Sequence, residues 1–248
     1  MARLKILSND DFDKLYKIPK LNEEERQFIL GLDEVDKNYL NTISSIPVKI
    51  NYILLLGYFR ISQYFFSFTF PRVKEDVRFI IRTYFPESSF PTKQINNRQY
   101  YSNRQAILNK HEMTLYSKNF ESNLSSYLKS LLKQHSVPKY LFDSLLDYCH
   151  QHKIIRPSYS TLQNLVSEAW NNEKTRINNK LYTIMSGSLR DSLGKLLKKD
   201  DLFYQITLIK KDQKDFTTHE IKASVQKNKL LSEIYNSSIE IIKQLEIS

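Results

Sequence analysis

Apolar residues recur at helical spacing along almost the whole chain, and this periodicity limits more than any other feature what the chain can fold into. After Pro47, for example, Val48, Tyr52, Leu55 and Phe59 fall at i, i+4, i+7 and i+11, which places them on one face of a helix. Only four glycines occur in the 248 residues, and no segment requires a β-strand. The sequence therefore predicts an all-α fold.

Polar residues and prolines mark where helices are expected to begin. Asn22 followed by Glu25 has the spacing of a capping box, in which each side chain accepts a hydrogen bond from the other residue's backbone N–H. Pro47 and Pro71 suit the first turn of a helix, where a missing N–H costs nothing. The stretch 86–91, rich in serine and proline, is predicted to be a linker.

The net charge points to a polyanionic partner. The chain carries 37 basic and 27 acidic residues, a formal charge of +10, and nucleic acid is the usual partner of so basic a protein. Residues 1–70 contain nine basic and nine acidic residues, whereas 71–135 contain eleven basic and five acidic. The middle of the chain is therefore predicted to be the electropositive part, with double-stranded DNA as the partner.

Binding to DNA needs cations spaced to meet phosphates, and a few hydrogen-bonding groups on a helix that enters the major groove. Two helices in the electropositive part and a short N-terminal arm, which could reach a minor groove, carry such groups. The candidate DNA-binding residues are Arg72, Lys74, Arg78, Asn97, Arg98, Tyr100, Arg104 and Lys110 on the helices, with Arg3 and Lys5 on the arm. Tyr101 and Asn103 supply further donors and acceptors. The alternatives are a solvated helix face and a frayed terminus.

An aromatic cluster precedes the first of these basic helices. It consists of Tyr64, Phe65, Phe66, Phe68 and Phe70. Such rings can form a base-stacking platform, but burial is the ordinary fate of phenylalanine. Packing in the core or between domains is therefore the favoured interpretation, and it would seat the helix at 71–84 against the first domain.

No metal, cofactor or catalytic residue is predicted. Cys149, His150 and His152 invite a zinc site, but tetrahedral zinc needs about four converging ligands, and His150 does not share the helix face of the other two. The carboxylates at 10–13 and 23–25 lie at expected helix starts, where they interact favourably with the helix dipole. The four glycines are scattered and form no phosphate-binding loop.

Several segments stand in an order that matches a known family. They are Ala2-Arg3-Leu4-Lys5-Ile6-Leu7, Ile18-Pro19, Val48-Lys49-Ile50-Asn51-Tyr52-Ile53-Leu54-Leu55-Leu56-Gly57-Tyr58-Phe59-Arg60, Ile154-Ile155-Arg156-Pro157, Ser160-Thr161-Leu162, Glu168-Ala169, and Asn178 with Lys180-Leu181-Tyr182. In this order the chain resembles the N-terminal region of the Tn-three family of replicative transposases. Lys49 lies in one of these segments and joins the candidate DNA contacts.

The resemblance implies a DNA-binding role. In that family the N-terminal region binds the terminal inverted repeats through helix-turn-helix-like subdomains, and the next region helps to form the dimer. The catalytic Asp-Asp-Glu set is implied to lie in a ribonuclease-H-like domain beyond residue 248. Many relatives are arginine-rich ahead of the central helix, whereas this sequence has Ser44, Ser45 and Ile46, which puts phosphate contacts there in doubt.

These observations predict two helix-turn-helix-like units, 1–70 and 71–155, and a helical connector, 156–248, through which the transposase can self-associate. The predicted function is sequence-specific binding to transposon ends in support of transposition, without catalysis by this segment. The alternative is a helical dimerisation scaffold, which the long, weakly charged helix expected at 158–186 supports. A free-standing nuclease is the least favoured of the three interpretations, because the carboxylates have a simpler role at helix starts.

The cellular setting follows from cysteine content and hydropathy. The one cysteine, Cys149, gives no internal disulfide and suits a reducing compartment. The longest uncharged apolar run, Tyr52 to Phe59, is far shorter than the roughly 20 residues that span a bilayer. No signal peptide is recognisable. The sequence predicts a protein of the bacterial cytosol that does not enter the membrane.

Overall fold

The computed structural model describes residues 3–185, 187, 190–191, 194, 199–200, 203–204 and 217–244. Within them the fold is all-α, as the sequence predicts, with one antiparallel pair of two-residue strands. The helices are α1 (Asn9–Tyr16), α2 (Glu23–Ile29), α3 (Glu34–Asn41), α4 (Ile46–Ser62), α5 (Lys74–Tyr84), α6 (Asn97–Lys110), α7 (Lys118–Leu131), α8 (Pro138–Gln151), α9 (Tyr159–Ile184) and α10 (Thr218–Gln244). The strands are β1 (Lys199–Asp200) and β2 (Phe203–Tyr204), and a 3-10 turn (Phe70–Val73) precedes α5.

Local hydrogen bonds explain where the helices begin. The capping box predicted for Asn22 and Glu25 is confirmed at the start of α2, and Asn96 with Gln99 forms another at the start of α6. Pro47 lies in the first turn of α4, as expected. Residues 85–96 connect α5 to α6, a longer connection than the three or four residues of a helix-turn-helix. Helices α5 and α6 therefore do not form a helix-turn-helix with each other.

The chain divides into two compact units. The first comprises Met1–Leu128 with Val137–Glu168, and the second Lys129–Ser136 with Ala169–Ser248. These divisions differ from the predicted boundaries after residues 70 and 155, because one hydrophobic core contains residues from Leu21 to Ile155. Part of the predicted connector 156–248 lies outside the described residues.

Helix α4 forms the centre of the first unit. Its residues from Ile50 to Phe59 are all buried, and α2, α5 and α6 pack against it. The close approach of α2 depends on Gly57, where an added Cβ would lie 2.5 Å from Leu30 Cδ2. The central position predicted for this helix is therefore confirmed.

The aromatic cluster at 64–70 belongs to the core. Phe65, Phe66 and Phe70 are buried, and the Phe65 ring stacks on Phe59 with ring centroids 5.0 Å apart. Packing, rather than base stacking, is confirmed for these three rings. The cluster joins α4 to α5 within one core, which is why the chain does not divide at residue 70.

A buried carboxylate connects three helices of the first unit. Asp36 is fully buried and accepts hydrogen bonds from the Tyr52 hydroxyl at 2.9 Å, from Arg60 at 3.1 Å and from Lys110 at 2.6 Å. Two cations and a hydroxyl therefore compensate one buried charge, as the cost of desolvation requires. The network joins α3 to α4 and to the end of α6.

The second unit has an exposed apolar surface. Ile221, Val225, Tyr235 and Ile239 of α10 are exposed, although each carries a large apolar group. In the same unit, the Trp170 indole donates a hydrogen bond to the Ser136 carbonyl at 3.0 Å. Among the described residues, none of the helices combines the length and apolar character that crossing a membrane requires.

Candidate nucleic-acid interface

Helix α6 is held against the core by a buried amide. Asn103 is completely buried and donates hydrogen bonds to the Val48 carbonyl at 3.0 Å and to Asn51 Oδ1 at 3.1 Å, while it accepts one from the Tyr39 hydroxyl at 3.2 Å. Ile107 on the same side of the helix is also buried. These contacts fix which face of α6 points outward.

The outward face of α6 is polar and carries no acidic residue. We use the name α6 face for its five exposed residues, Arg98, Tyr101, Ser102, Gln105 and Asn109. They follow one another at i, i+3, i+4, i+7 and i+11, the spacing of one helical stripe. Gln105 Nε2 donates a hydrogen bond to Asn109 Oδ1 at 2.8 Å. The face therefore presents amide, hydroxyl and guanidinium groups together.

The lysines and arginines of the segment that contains the α6 face are not accompanied by acidic residues. No aspartate or glutamate occurs in residues 88–111, whereas Lys93, Arg98, Arg104 and Lys110 do. Arg98 and Lys93 are exposed, and neither has an acidic partner among the described residues. Asn97, also exposed, occupies the first position of the helix. An anionic ligand would meet no repelling carboxylate from this segment.

Arg104 lies behind the α6 face. Its guanidinium is 4.7 Å from the centre of the Phe65 ring, 5.6 Å from that of Tyr100 and 5.8 Å from that of Tyr101. Its Nε is buried without a hydrogen-bond partner among the described residues. Tyr100 is half-buried, and burial raises the pKa of its hydroxyl. Arg104 and Tyr100 therefore both pack against the Tyr101 ring and help to hold it in place.

Lys110 is not placed to contact a phosphate. Only 16% of its side chain is exposed, and Nζ lies 2.6 Å from both Asp33 Oδ2 and Asp36 Oδ1. The hydrogen bond from Lys110 holds the pKa of Asp33 well below its usual range. The structure thus gives Lys110 an ion-pairing role in the core, in place of the expected DNA contact.

The basic residues at the start of α5 keep exposed side chains. Arg78 pairs with Glu75 at 3.1 Å, and Lys74 lies 3.9 Å from the same carboxylate. Arg72, in the preceding 3-10 turn, has no acidic partner among the described residues. Of the three candidates, Arg72 therefore has the charge most available to an anion.

The N-terminal arm is fixed to the first unit. The Leu4 amide donates to Ser167 Oγ at 3.1 Å, and Gln163 Nε2 donates to the Leu4 carbonyl at 2.8 Å. Arg3 and Lys5, on either side of Leu4, have exposed side chains. The backbone between them is anchored, so this segment is neither a free arm nor a frayed end. Lys49 is half-buried in the first turn of α4.

Sequence reasoning missed part of the α6 face. Ser102, Gln105 and Asn109 are not among the predicted contacts, although their spacing from Arg98 is readable from the sequence. Asn103 was expected to supply exposed hydrogen-bonding groups, but it is buried. Its partners lie more than 50 residues away in the sequence, so no local pattern could have indicated them.

The residues considered for zinc do not converge. Cys149 is buried, while His150 Nδ1 lies 2.9 Å from Gln63 Oε1 and the His152 ring packs against Tyr148 at 4.1 Å. Within the described part of the chain, no group of three or more histidine, cysteine or acidic residues could hold a metal ion.

Fold and surface together define an all-α domain with a polar, acid-free helix face. A family model described as a domain of unknown function (DUF4158) matches residues 6–169, which is most of the chain. The chain therefore belongs to that family. The matched range corresponds closely to the first compact unit, which contains the α6 face. No curated protein matches the sequence.

Proposed function

We propose that this chain binds duplex DNA sequence-specifically, with the α6 face in the major groove. The observation that carries the proposal is the face itself, on which Arg98, Gln105 and Asn109 stand together on an acid-free helix. Arginine reads guanine, and glutamine or asparagine reads adenine, through paired hydrogen bonds in the major groove. A helix of 14 residues, about 21 Å long, fits into that groove.

The rigidity of α6 supports the same role. Reading base edges requires donors and acceptors that stay in place, and the buried Asn103 amide holds the helix by two hydrogen bonds to α4 and one from Tyr39 of α3. Exposed cations such as Arg72 and Lys93 supply the phosphate contacts that position a protein on the duplex. Lys110 takes no part, since its charge is used in the core.

The DNA that we propose is a transposon end. This step rests on the resemblance of the quoted segments to the N-terminal region of Tn-three transposases, most of which lie within the matched range 6–169. The chain would then be the end-binding part of a transposase, and strand cleavage and joining would belong to other residues of the complete enzyme. The proposed role of the chain itself is recognition, without catalysis.

Self-association is a second proposed property. It is favoured by the exposed apolar residues of α10, Ile221, Val225, Tyr235 and Ile239, because large exposed apolar groups are typical of protein contact sites. Self-association is compatible with DNA binding, but self-association alone would not account for the polar, acid-free α6 face.

Selection from a pool of random duplexes tests the proposed function. We expect the 248-residue chain to enrich one motif, and to bind it at least 10³-fold more tightly than a scrambled duplex of equal length and composition, the usual margin for specific binders. Fluorescence anisotropy at several salt concentrations would measure both affinities. Equal, weak binding to the two duplexes would refute sequence-specific recognition and leave the scaffold as the better account.

A further inference from the structure

A pocket of about 470 Å³ lies between the end of α1 and the start of α5. Its wall is formed by residues 17–21, Arg26 and residues 71–76, all within the first compact unit. The cations that line it are Lys17, Lys20, Arg26, Arg72 and Lys74. Lys17 and Lys20 come from a segment whose overall charge is balanced, so the sequence did not single them out.

The two acidic residues of the pocket pair with cations other than Lys20 and Arg72. Asp76 is buried and accepts hydrogen bonds from Arg26 Nε at 2.7 Å and from the Tyr58 hydroxyl at 2.5 Å. Glu75 lies 3.1 Å from the Arg78 guanidinium. The buried Asp76 thus pairs with Arg26, and neither carboxylate forms an ion pair with Lys20 or Arg72, which have exposed side chains.

The other cations of the pocket have weak acidic partners, or none, within the described part of the chain. Lys20 and Arg72 have no acidic partner among the described residues, and the distance from Lys74 to Glu75 is 3.9 Å, at the limit of an ion pair. Lys17 pairs with Asp13 at 2.5 Å, where both side chains are well exposed, and such surface pairs contribute little. The pocket thus has an excess of positive charge that favours an anion.

We propose that this pocket binds a backbone phosphate of the DNA. Arg72 offers a planar guanidinium that can donate two hydrogen bonds to a phosphate, and Lys20 and Lys74 add mobile point charges on either side. The inference rests on the proposed function, which it deepens by giving the duplex a second point of attachment. Contact with a phosphate carries no sequence information, so the pocket positions the duplex while the α6 face reads it.

The pocket and the α6 face approach the same short segment. Tyr16, which precedes Lys17, packs edge-on against Tyr64 with ring centroids 5.4 Å apart. The next residue along the chain, Phe65, lies under the Arg104 guanidinium at 4.7 Å, and Arg104 supports Tyr101 of the α6 face. The pocket and the α6 face are therefore connected through residues 64–65 of the same compact unit.

The test is the salt dependence of binding by the variant Lys20→Gln/Arg72→Gln in the 248-residue chain. Loss of one phosphate contact lowers the slope of log K against log salt by about 0.9. We expect that change, with an affinity about tenfold lower at low salt, on the selected and scrambled duplexes alike. The control Lys118→Gln/Lys129→Gln removes the same charge from exposed positions of α7 and should keep the wild-type slope.

The outcomes separate the pocket from the proposed function. A pocket variant with the same slope as the α7 control would overturn the phosphate site, while a wild-type preference for the selected duplex would leave the proposed function standing. A wild-type chain without sequence preference overturns specific recognition. The phosphate site is then still tested on the scrambled duplex, by comparing the salt slope of the pocket variant with that of the α7 control. No binding of any duplex by the wild type overturns both. An unchanged thermal unfolding midpoint shows that both double variants fold.

Discussion

Replacing Asp36 with alanine is expected to lower the free energy of unfolding by about 3–5 kcal/mol, the usual cost of breaking a buried ion pair from one side. The carboxylate is fully buried and bonds Tyr52, Arg60 and Lys110, and it also accepts the Asp33 amide in the capping box of α3. Its removal takes the carboxylate away from Arg60 and leaves Lys110 paired with Asp33 alone. The chain also loses one of the two hydrogen bonds of the capping box at the start of α3, so both effects act in the same direction.

Urea unfolding followed by circular dichroism measures this effect. Asp10→Ala is the matched control, because Asp10 also lies in the first turn of a helix but is exposed. We expect the control to change stability by less than about 0.5 kcal/mol, as surface substitutions usually do. A loss for Asp36→Ala within about 1 kcal/mol of the control would show that the network does not stabilise the core as described.

The second large effect concerns recognition. The triple variant Arg98→Ala/Tyr101→Ala/Gln105→Ala should bind the selected duplex about 10²–10³-fold more weakly, since each good base contact contributes about 1–3 kcal/mol and such losses are only partly additive. Binding to a scrambled duplex should fall much less, because phosphate contacts elsewhere persist. The preference for the selected sequence should therefore nearly disappear.

Its control is a triple variant on another exposed helix face. Lys118→Ala/Ser122→Ala/Ser126→Ala on α7 also removes one positive charge and two polar groups, at positions i, i+4 and i+8. Anisotropy titrations of both variants against both duplexes give the comparison. If the α7 variant lost as much preference as the α6 variant, the assignment of recognition to α6 would be wrong.

The spacing of apolar residues in the sequence was sufficient to predict the helical fold class and many of the helix boundaries. The capping box at Asn22 and the central position of α4 follow from residues that are neighbours in the sequence, so local patterns indicate them. The connection 85–96 was likewise marked by its serines and prolines. These features depend on backbone hydrogen bonding and side-chain spacing within a single element.

The predictions that needed contacts between distant residues did less well. Lys110 looked like a phosphate ligand because its acidic partners, Asp33 and Asp36, lie more than 70 residues earlier. Arg104 looked exposed, although its guanidinium stacks on Phe65, some 40 residues away. Counting charges along the sequence cannot distinguish a cation that pairs with a carboxylate or an aromatic ring in the folded chain from one that is exposed to a ligand.

A photo-crosslink from the α6 face tests the central claim most directly. Cys149 is buried, and burial raises the pKa of its thiol to about 11, so a thiol placed on the surface would be labelled selectively. Ser102→Cys, at the middle of the α6 face, would carry a photoactivated aryl azide, and Ser122→Cys on α7 would serve as the control. We expect the Ser102 position to crosslink to bases of the selected duplex and the Ser122 position not to. Crosslinking from Ser102 no stronger than that from Ser122 would contradict the placement of α6 in the groove.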